Sequence, residues 1–153
     1  MTDELHQLLD HHAAEKFAER INKLTPETIG LWGKMNVAQM LAHCAHAIEV
    51  PLGDVELKKS LFGKIFGKWI KKVIVEKKKF KQGLPTAPQF KIKTEHDFET
   101  EKKKLISHIN RFALLDTKTL DEKYHPIGGK FTAEEWRWSQ YKHLDHHLSQ
   151  FGV

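Results

Sequence analysis

The chain closes with residues 136–153, WRWSQYKHLDHHLSQFGV, in which three histidines fall within five positions. Just upstream, Thr132 and Glu135 have the spacing of a capping box, which is typical of a helix start. At about 100° per residue, four side chains share one stripe within about 40°: Trp136, Gln140, His143 and His147. The segment therefore predicts a final helix that carries a polar, histidine-bearing stripe.

Four further segments have helical periodicity. Apolar residues three and four apart predict a first helix over residues 3–24, with a polar start at Thr2 and Asp3. Asn36 and Gln39 form a second capping box, and the helix that follows should run from residue 37 to 50 and stop before Pro51. Apolar pairs recur every four residues over 61–74, and the last segment covers residues 97–115.

Loops separate these helices. Gly83, Pro85 and Pro88 interrupt the periodicity, so we expect loop over residues 81–93 and again between the last two helices. No segment resembles a convincing strand, and there is no internal repeat. The sequence predicts an all-α protein, a bundle of four main helices plus a lysine-rich amphipathic helix, in a single domain over residues 1–153.

Composition limits the functional classes. The 153 residues are 40% hydrophobic, as expected for an ordinary buried core, and the net charge of +5 comes with 20 interspersed acidic residues. The single cysteine excludes an internal disulfide and a Cys-rich zinc site. There is no secretory signal pattern and no apolar run of the roughly 18 residues that a bilayer span needs, so we expect a soluble cytoplasmic protein.

Histidine spacing indicates a metal site. His143 and His147 are four residues apart, so one helix can supply two nitrogens to one ion, whereas His146 lies about 80° to the side. A third ligand should come from a facing helix. In the second helix His43 lies on a flank that can meet a neighbour, while His46 points away from the apolar face and is expected to be solvated or behind the ligands.

Several neighbouring residues have two interpretations. His125, in YHPIGG, is either a partner of the site that supports ligands or substrate, or a histidine in an exposed turn before proline. Trp136 either forms a wall of the metal pocket or belongs to the core. Cys44 follows His43 but points into the apolar face, so we expect buried packing and no catalytic role.

A lysine-rich block spans residues 58–81, with ten lysines against one acidic residue, Glu76. The apolar face of this helix must be covered, and the commonest cover is the protein's own bundle or a second subunit, which favours a homodimer. The alternative is that the basic helix binds a membrane surface or nucleic acid.

Two stretches, MNVAQMLAHCAHAIE (35–49) and HPIGGKFTAEEWRWSQYKHLDHHLSQFG (125–152), resemble the DinB-like (YfiT-like) clan of bacterial four-helix-bundle metalloproteins, and within it a family of uncharacterised proteins. The resemblance covers most of the chain from Trp32 onward. It implies that His43, His143 and His147 bind metal, with Gln150 in the clan's glutamine position. The clan often has Arg-Gly where this chain has Leu148-Ser149, a departure that concerns substrate chemistry more than the metal site.

The resemblance also implies a function. Clan members include metal-dependent enzymes that use low-molecular-weight thiols, so we expect one divalent ion, zinc or nickel before iron or copper, and thiol S-transferase-type chemistry on an electrophilic small molecule, or a related hydrolysis. Residues expected around the ligands or the pocket are His125, Trp136, Gln140, His46, His146 and Gln150. The alternative function is a non-catalytic, metal-containing binding protein that uses the basic helix 58–81 on a membrane surface, nucleic acid or protein partner.

Overall fold

A computed structural model describes residues 8–58 and 61–153 of the chain. The described part is mostly helical, which confirms the predicted all-α class. Its six α-helices are α1 (His11–Asn22), α2 (Val37–Leu52), α3 (Leu61–Val75), α4 (Phe98–Ala113), α5 (Thr117–Asp121) and α6 (Ala133–Gln150). The remaining elements are a single 3₁₀ turn (Pro88–Phe90) and two short strands, β1 (Tyr124–His125) and β2 (Gly129–Lys130).

The hydrophobic core lies between α1, α2, α4 and α6. Helix α2 packs most extensively on α4, α1 contacts α4 and α6, and α2 also contacts α6. Each of these helices contributes a large buried side chain: Phe17, Leu41, Phe112 and Trp136. Burying one such side chain stabilises the fold by roughly 1.5–3 kcal/mol. The contact between α2 and α6 brings together the helix that carries His43 and the helix that carries His143 and His147.

The first helix begins later than the sequence predicts. Helix α1 starts at His11, and the Asp10 side chain caps it by accepting a hydrogen bond from the amide of Ala13. Leu9 precedes the helix, and its amide donates to the Arg137 carbonyl of α6 at 3.1 Å. That contact holds the backbone outside a helical conformation. The predicted start at Thr2 and Asp3 lies outside the described residues.

The second helix ends later than predicted. Helix α2 has the expected capping box of Asn36 and Gln39, but it continues through Pro51 to Leu52. A proline this close to the end disrupts little of the hydrogen-bonding ladder. The helix stops instead at Gly53, whose positive φ of 80° provides a left-handed C-cap.

The predicted loops contain short regular elements. The 81–93 segment includes the Pro88–Phe90 turn, and the segment before α6 includes α5, which Asp116 caps. The same segment forms an antiparallel hairpin in which His125 pairs with Gly129. The expectation of no strand was therefore wrong, although each of the two strands is only two residues long. Gly129 has a φ of 78°, a value that favours glycine in the hairpin.

The lysine-rich helix α3 lies against α6 and β2. Gly67 allows this approach, because an added Cβ would lie 2.7 Å from the Ile127 carbonyl oxygen. The buried Lys142 of α6 donates to the carbonyls of Val73 at 2.8 Å and Glu76 at 3.0 Å, and so caps the carboxyl end of α3. None of the described helices combines the length and apolarity needed to cross a bilayer.

Candidate metal centre

Three histidines converge where α2 faces α6. His43 comes from α2, and His143 and His147 come from successive turns of α6. One ring nitrogen from each lies within 4.8 Å of the others. The ring centroids form a nearly equilateral triangle with sides of 4.6 to 4.8 Å. The structure thus brings together the three ligands that the sequence predicts, and no other group of this kind occurs in the described part of the chain.

Hydrogen bonds fix the tautomers of two of these rings. His43 Nδ1 lies 2.8 Å from the Phe90 carbonyl oxygen, and His147 Nδ1 lies 2.8 Å from Gln150 Oε1. Because a carbonyl oxygen only accepts, both Nδ1 atoms carry the proton, and in the neutral rings both Nε2 atoms carry a lone pair. Gln150 is itself oriented, since its Nε2 donates to the Trp32 carbonyl at 2.8 Å.

The third ring is held differently. His143 Nε2 lies 2.9 Å from His43 Nε2, while His143 Nδ1 is buried with no hydrogen-bond partner among the described residues. Since His43 Nε2 has a lone pair, the neutral His143 ring can donate to it through Nε2 when no ion is present. A cation at this point would replace that proton as the group shared by the two nitrogens.

Burial keeps all three rings neutral at physiological pH. Loss of solvation is the largest cause in each case: it lowers the pKa of His43, lowers the pKa of His143 well below its ordinary value, and brings the pKa of His147 to about 3. The neighbouring imidazoles lower the pKa of each ring further. Neutral imidazole is the form that binds a metal ion, so the residues fit a divalent cation such as zinc or nickel.

The histidines open into a cavity of about 250 Å³. Its opposite wall comes from the apolar face of α3, and the 81–93 segment closes one side. The wall residues from these two parts of the chain are Trp69, Ile70, Val73, Ile74, Leu84, Pro85, Thr86, Ala87 and Phe90. A mostly apolar pocket with a few convergent polar groups is typical of a small-molecule site.

His125 also lines this cavity. Its Nδ1 accepts hydrogen bonds from the amides of Ile127 at 3.2 Å and Gly128 at 2.9 Å, so the proton of the neutral ring must be on Nε2. The ring stacks on Phe131, and burial lowers the pKa of His125 to about 4. His125 is therefore a neutral hydrogen-bond donor at the cavity wall, which replaces the interpretation as an exposed turn.

The other predicted neighbours have separate positions. Gln140 and His146 line the cavity, and Gln150 supports His147 from behind. Trp136 is fully buried against Phe131 and His125 and is absent from the described cavity lining, so it belongs to the core behind the wall.

His46 is partly buried on α2, three residues after His43. It bonds Glu49 at 2.9 Å and the Gln89 carbonyl at 3.2 Å, and so helps to hold the 81–93 segment over α2. Cys44 is fully buried and burial raises its pKa, which agrees with the predicted packing role.

Two parts of the site were missed from the sequence. The Phe90 carbonyl has no residue-type signal, because any residue offers the same acceptor. One feature of the sequence indicated that α3 contributes to the pocket: the helix is amphipathic, and its apolar face needs a packing partner.

The chain belongs to a family described as a protein of unknown function (DUF1569), whose model matches residues 3–152. No curated protein and no solved structure is significantly similar to it.

Proposed function

We propose that this protein is a divalent-metal-dependent enzyme of the DinB-like type, in which His43, His143 and His147 bind one ion and the apolar cavity binds a small electrophilic substrate. The proposed reaction is thiol transfer, with a low-molecular-weight thiol as co-substrate, and hydrolysis is the nearest variant. The proposed fold is the four-helix bundle of that clan, formed by α1, α2, α4 and α6.

One observation carries the proposal: two of the three rings are locked in the ligand tautomer. The hydrogen bonds from His43 to Phe90 and from His147 to Gln150 leave the Nε2 lone pair of both rings available, and one nitrogen from each of the three rings lies within 4.8 Å of the others. Such bonds to the non-ligating nitrogen accompany metal-binding histidines in general. Histidines that served only packing would not need two fixed tautomers beside a third buried imidazole.

A divalent ion with three neutral ligands keeps its full charge, so it lowers the pKa of a coordinated thiol or water and polarises an electrophile. The chain supplies the rest. The walls from α3 and the 81–93 segment exclude water from the substrate, and His125 Nε2–H can donate to an oxygen or sulfur on which negative charge develops. In the transfer, the thiol proton is lost to solvent, the sulfur lone pair forms the new C–S bond, and the electron pair of the broken bond leaves with the electrophile's leaving group.

The test is metal content and thiol binding. Untagged protein should contain about one divalent ion per chain by elemental analysis, and His143→Ala should lose the ion while its circular dichroism stays helical. His11→Ala is the matched control, because its side chain is 77% exposed and lies on α1. On cobalt-loaded protein, a thiol such as glutathione should produce the sulfur-to-metal charge-transfer band of a bound thiolate.

Three results would contradict the proposal. Untagged protein without an ion that also fails to take one up would refute the metal centre. An ion retained by His143→Ala would place the centre elsewhere. An ion whose removal unfolds the chain, and which neither thiol nor substrate analogues perturb, would indicate a structural metal and favour a non-catalytic binding protein.

A further inference from the structure

The exposed face of α3 combines an apolar stripe with a lysine stripe. Leu61, Ile65 and Trp69 follow at intervals of four residues, so they line up on one side of the helix. They are 72%, 69% and 62% exposed. Trp69 also lines the cavity, together with Ile70, Val73 and Ile74, so the protein covers only part of the apolar surface of this helix.

Lysines run beside that stripe. Lys64, Lys68 and Lys72 are exposed, lie one residue before or three after the apolar positions, and form no ion pair with any described residue. Further exposed lysines follow the helix at positions 77–79 and 81, and two of these are paired, Lys78 with Glu76 and Lys79 with Asp145. The surface therefore offers contiguous apolar side chains and uncompensated positive charge together.

We propose that this face of α3, defined by Leu61, Ile65 and Trp69 with Lys64, Lys68 and Lys72, docks on an anionic lipid surface. Acyl chains would cover the apolar stripe, and acidic headgroups would pair with the lysines. Tryptophan is a side chain that favours the boundary between these two regions.

Charge complementarity separates this occupant from the others. A second copy of the chain related by a twofold axis would bring two copies of the same lysine-bearing surface together, and like charges in close proximity are costly. Nucleic acid would satisfy the lysines, but its phosphates and sugars leave leucine and isoleucine side chains without an apolar partner. An anionic bilayer offers acyl chains to the apolar stripe and acidic headgroups to the lysines.

The docking face adjoins the candidate metal centre. Trp69 is exposed on the surface and also lines the cavity, and the same is true of Leu84, which is 41% exposed. Lipid bound at this face would thus lie beside the wall of the cavity. The proposal itself depends on α3 alone, and it stands whether or not an ion is bound.

The test uses the full chain and vesicles of phosphatidylcholine with or without phosphatidylglycerol. The protein should float with the anionic vesicles only, with a blue-shifted tryptophan emission, and should remain bound near physiological salt because the apolar contact is not screened. Ile65→Glu should weaken binding at least about tenfold, since it replaces an isoleucine that would insert among the acyl chains with a charged side chain. Ile29→Glu is the matched control, because Ile29 is 84% exposed in the connector before α2 and should bind as the wild type does.

A triple change, Lys64→Gln with Lys68→Gln and Lys72→Gln, tests the charge contribution without altering the apolar stripe and should abolish the preference for anionic vesicles. Vesicle binding that Ile65→Glu leaves unchanged would overturn the proposal. Failure to bind anionic vesicles would also overturn it. Binding to duplex DNA in place of vesicles would then indicate a nucleic-acid partner, and a dimer that Ile65→Glu dissociates would indicate a second copy of the chain.

Discussion

The Nε2 atoms of His43 and His143 lie 2.9 Å apart, although 100 positions separate the two residues in the chain. Two imidazole lone pairs at this distance repel unless a proton or a cation lies between them. In the chain without an ion, a proton on His143 Nε2 serves this purpose, and it leaves His143 Nδ1 as a buried acceptor with no partner among the described residues. The site therefore carries a buried polar atom that no described residue satisfies.

Gly33 should control metal affinity from outside the cavity. A Cβ added at Gly33 would collide with Gln150 Nε2, and displacing this amide removes the acceptor that orients His147. We expect Gly33→Ala to weaken zinc binding about 10- to 100-fold, the range found for loss of a ligand's supporting hydrogen bond. Competition with a chromogenic chelator measures the change.

Gly83→Ala is the matched control for this substitution. Gly83 also has a positive φ, 75°, so alanine introduces the same kind of backbone strain, but nothing lies within 4 Å of its added Cβ. Equal affinity losses in the two variants would show that strain, and not displacement of Gln150, is responsible.

His125 should strengthen the binding of an anion at the metal centre. Its Nε2–H is the donor at the cavity wall, and a hydrogen bond to a charged group contributes roughly 1.5–3 kcal/mol. We expect His125→Phe to lower azide affinity at least about tenfold in cobalt-loaded protein, followed by visible absorption, with cobalt affinity unchanged. Tyr124→Phe, on the exposed side of the same strand, should leave azide affinity unaltered. Equal azide affinity in His125→Phe and wild type would refute the role while leaving the metal centre intact.

Acid should destabilise the metal-free protein through its buried histidines. The folded-state pKa is about 4 for His125 and about 3 for His147, both below the ordinary value of 6.5. Between those values and 6.5 the unfolded chain binds more protons, so the free energy of unfolding falls as pH falls, by up to about 1.4 kcal/mol per pH unit for each group.

Denaturant titrations at several pH values check this slope. His125→Phe should reduce the slope between pH 6.5 and about 4, whatever it does to stability at neutral pH. An unchanged slope in the variant would mean that His125 titrates normally in the folded chain.

Lys142 should secure the carboxyl end of α3. Its ammonium group is buried, which lowers the pKa of Lys142 to about 8, and it donates to three carbonyls in the last turn of α3 and just beyond. Lys142→Met would remove this donor from the Val73 and Ile74 carbonyls, while the Glu76 carbonyl would keep the Lys78 amide and the Trp138 indole as donors. We therefore expect a loss of about 1–3 kcal/mol in the free energy of unfolding. Hydrogen exchange of the last turn of α3 should accelerate as well. Lys72→Met, an exposed change near the end of the same helix, should do neither.

Periodicity predicted most of the helices and indicated His43, His143 and His147 as a shared site, and the resemblance to the DinB-like clan implied the same three residues. Side chains at three- and four-residue spacing define a face, and His43 on a flank of α2 could only meet α6 if the two helices were neighbours. Capping boxes at Asn36 and Thr132 fixed two helix starts correctly, because they depend on contacts within one turn.

The misses depend on tertiary contacts. The delayed start of α1 depends on Leu9 meeting α6, and the extension of α2 beyond Pro51 depends on the Gly53 cap. The hydrogen-bond partner of His43 is the backbone carbonyl of Phe90, and a backbone carbonyl cannot be recognised from the residue type. Whether the chain forms a homodimer remains a prediction that the single chain does not address.

The most direct test is anomalous scattering from crystals of untagged protein, recorded on both sides of the zinc and nickel absorption edges. We expect one peak per chain, about 2.0–2.1 Å from a ring nitrogen of each of His43, His143 and His147, with room left in the coordination sphere facing the cavity. A crystal soaked in metal that shows no peak there, or a peak at other residues such as His46 and Glu49, would contradict this expectation.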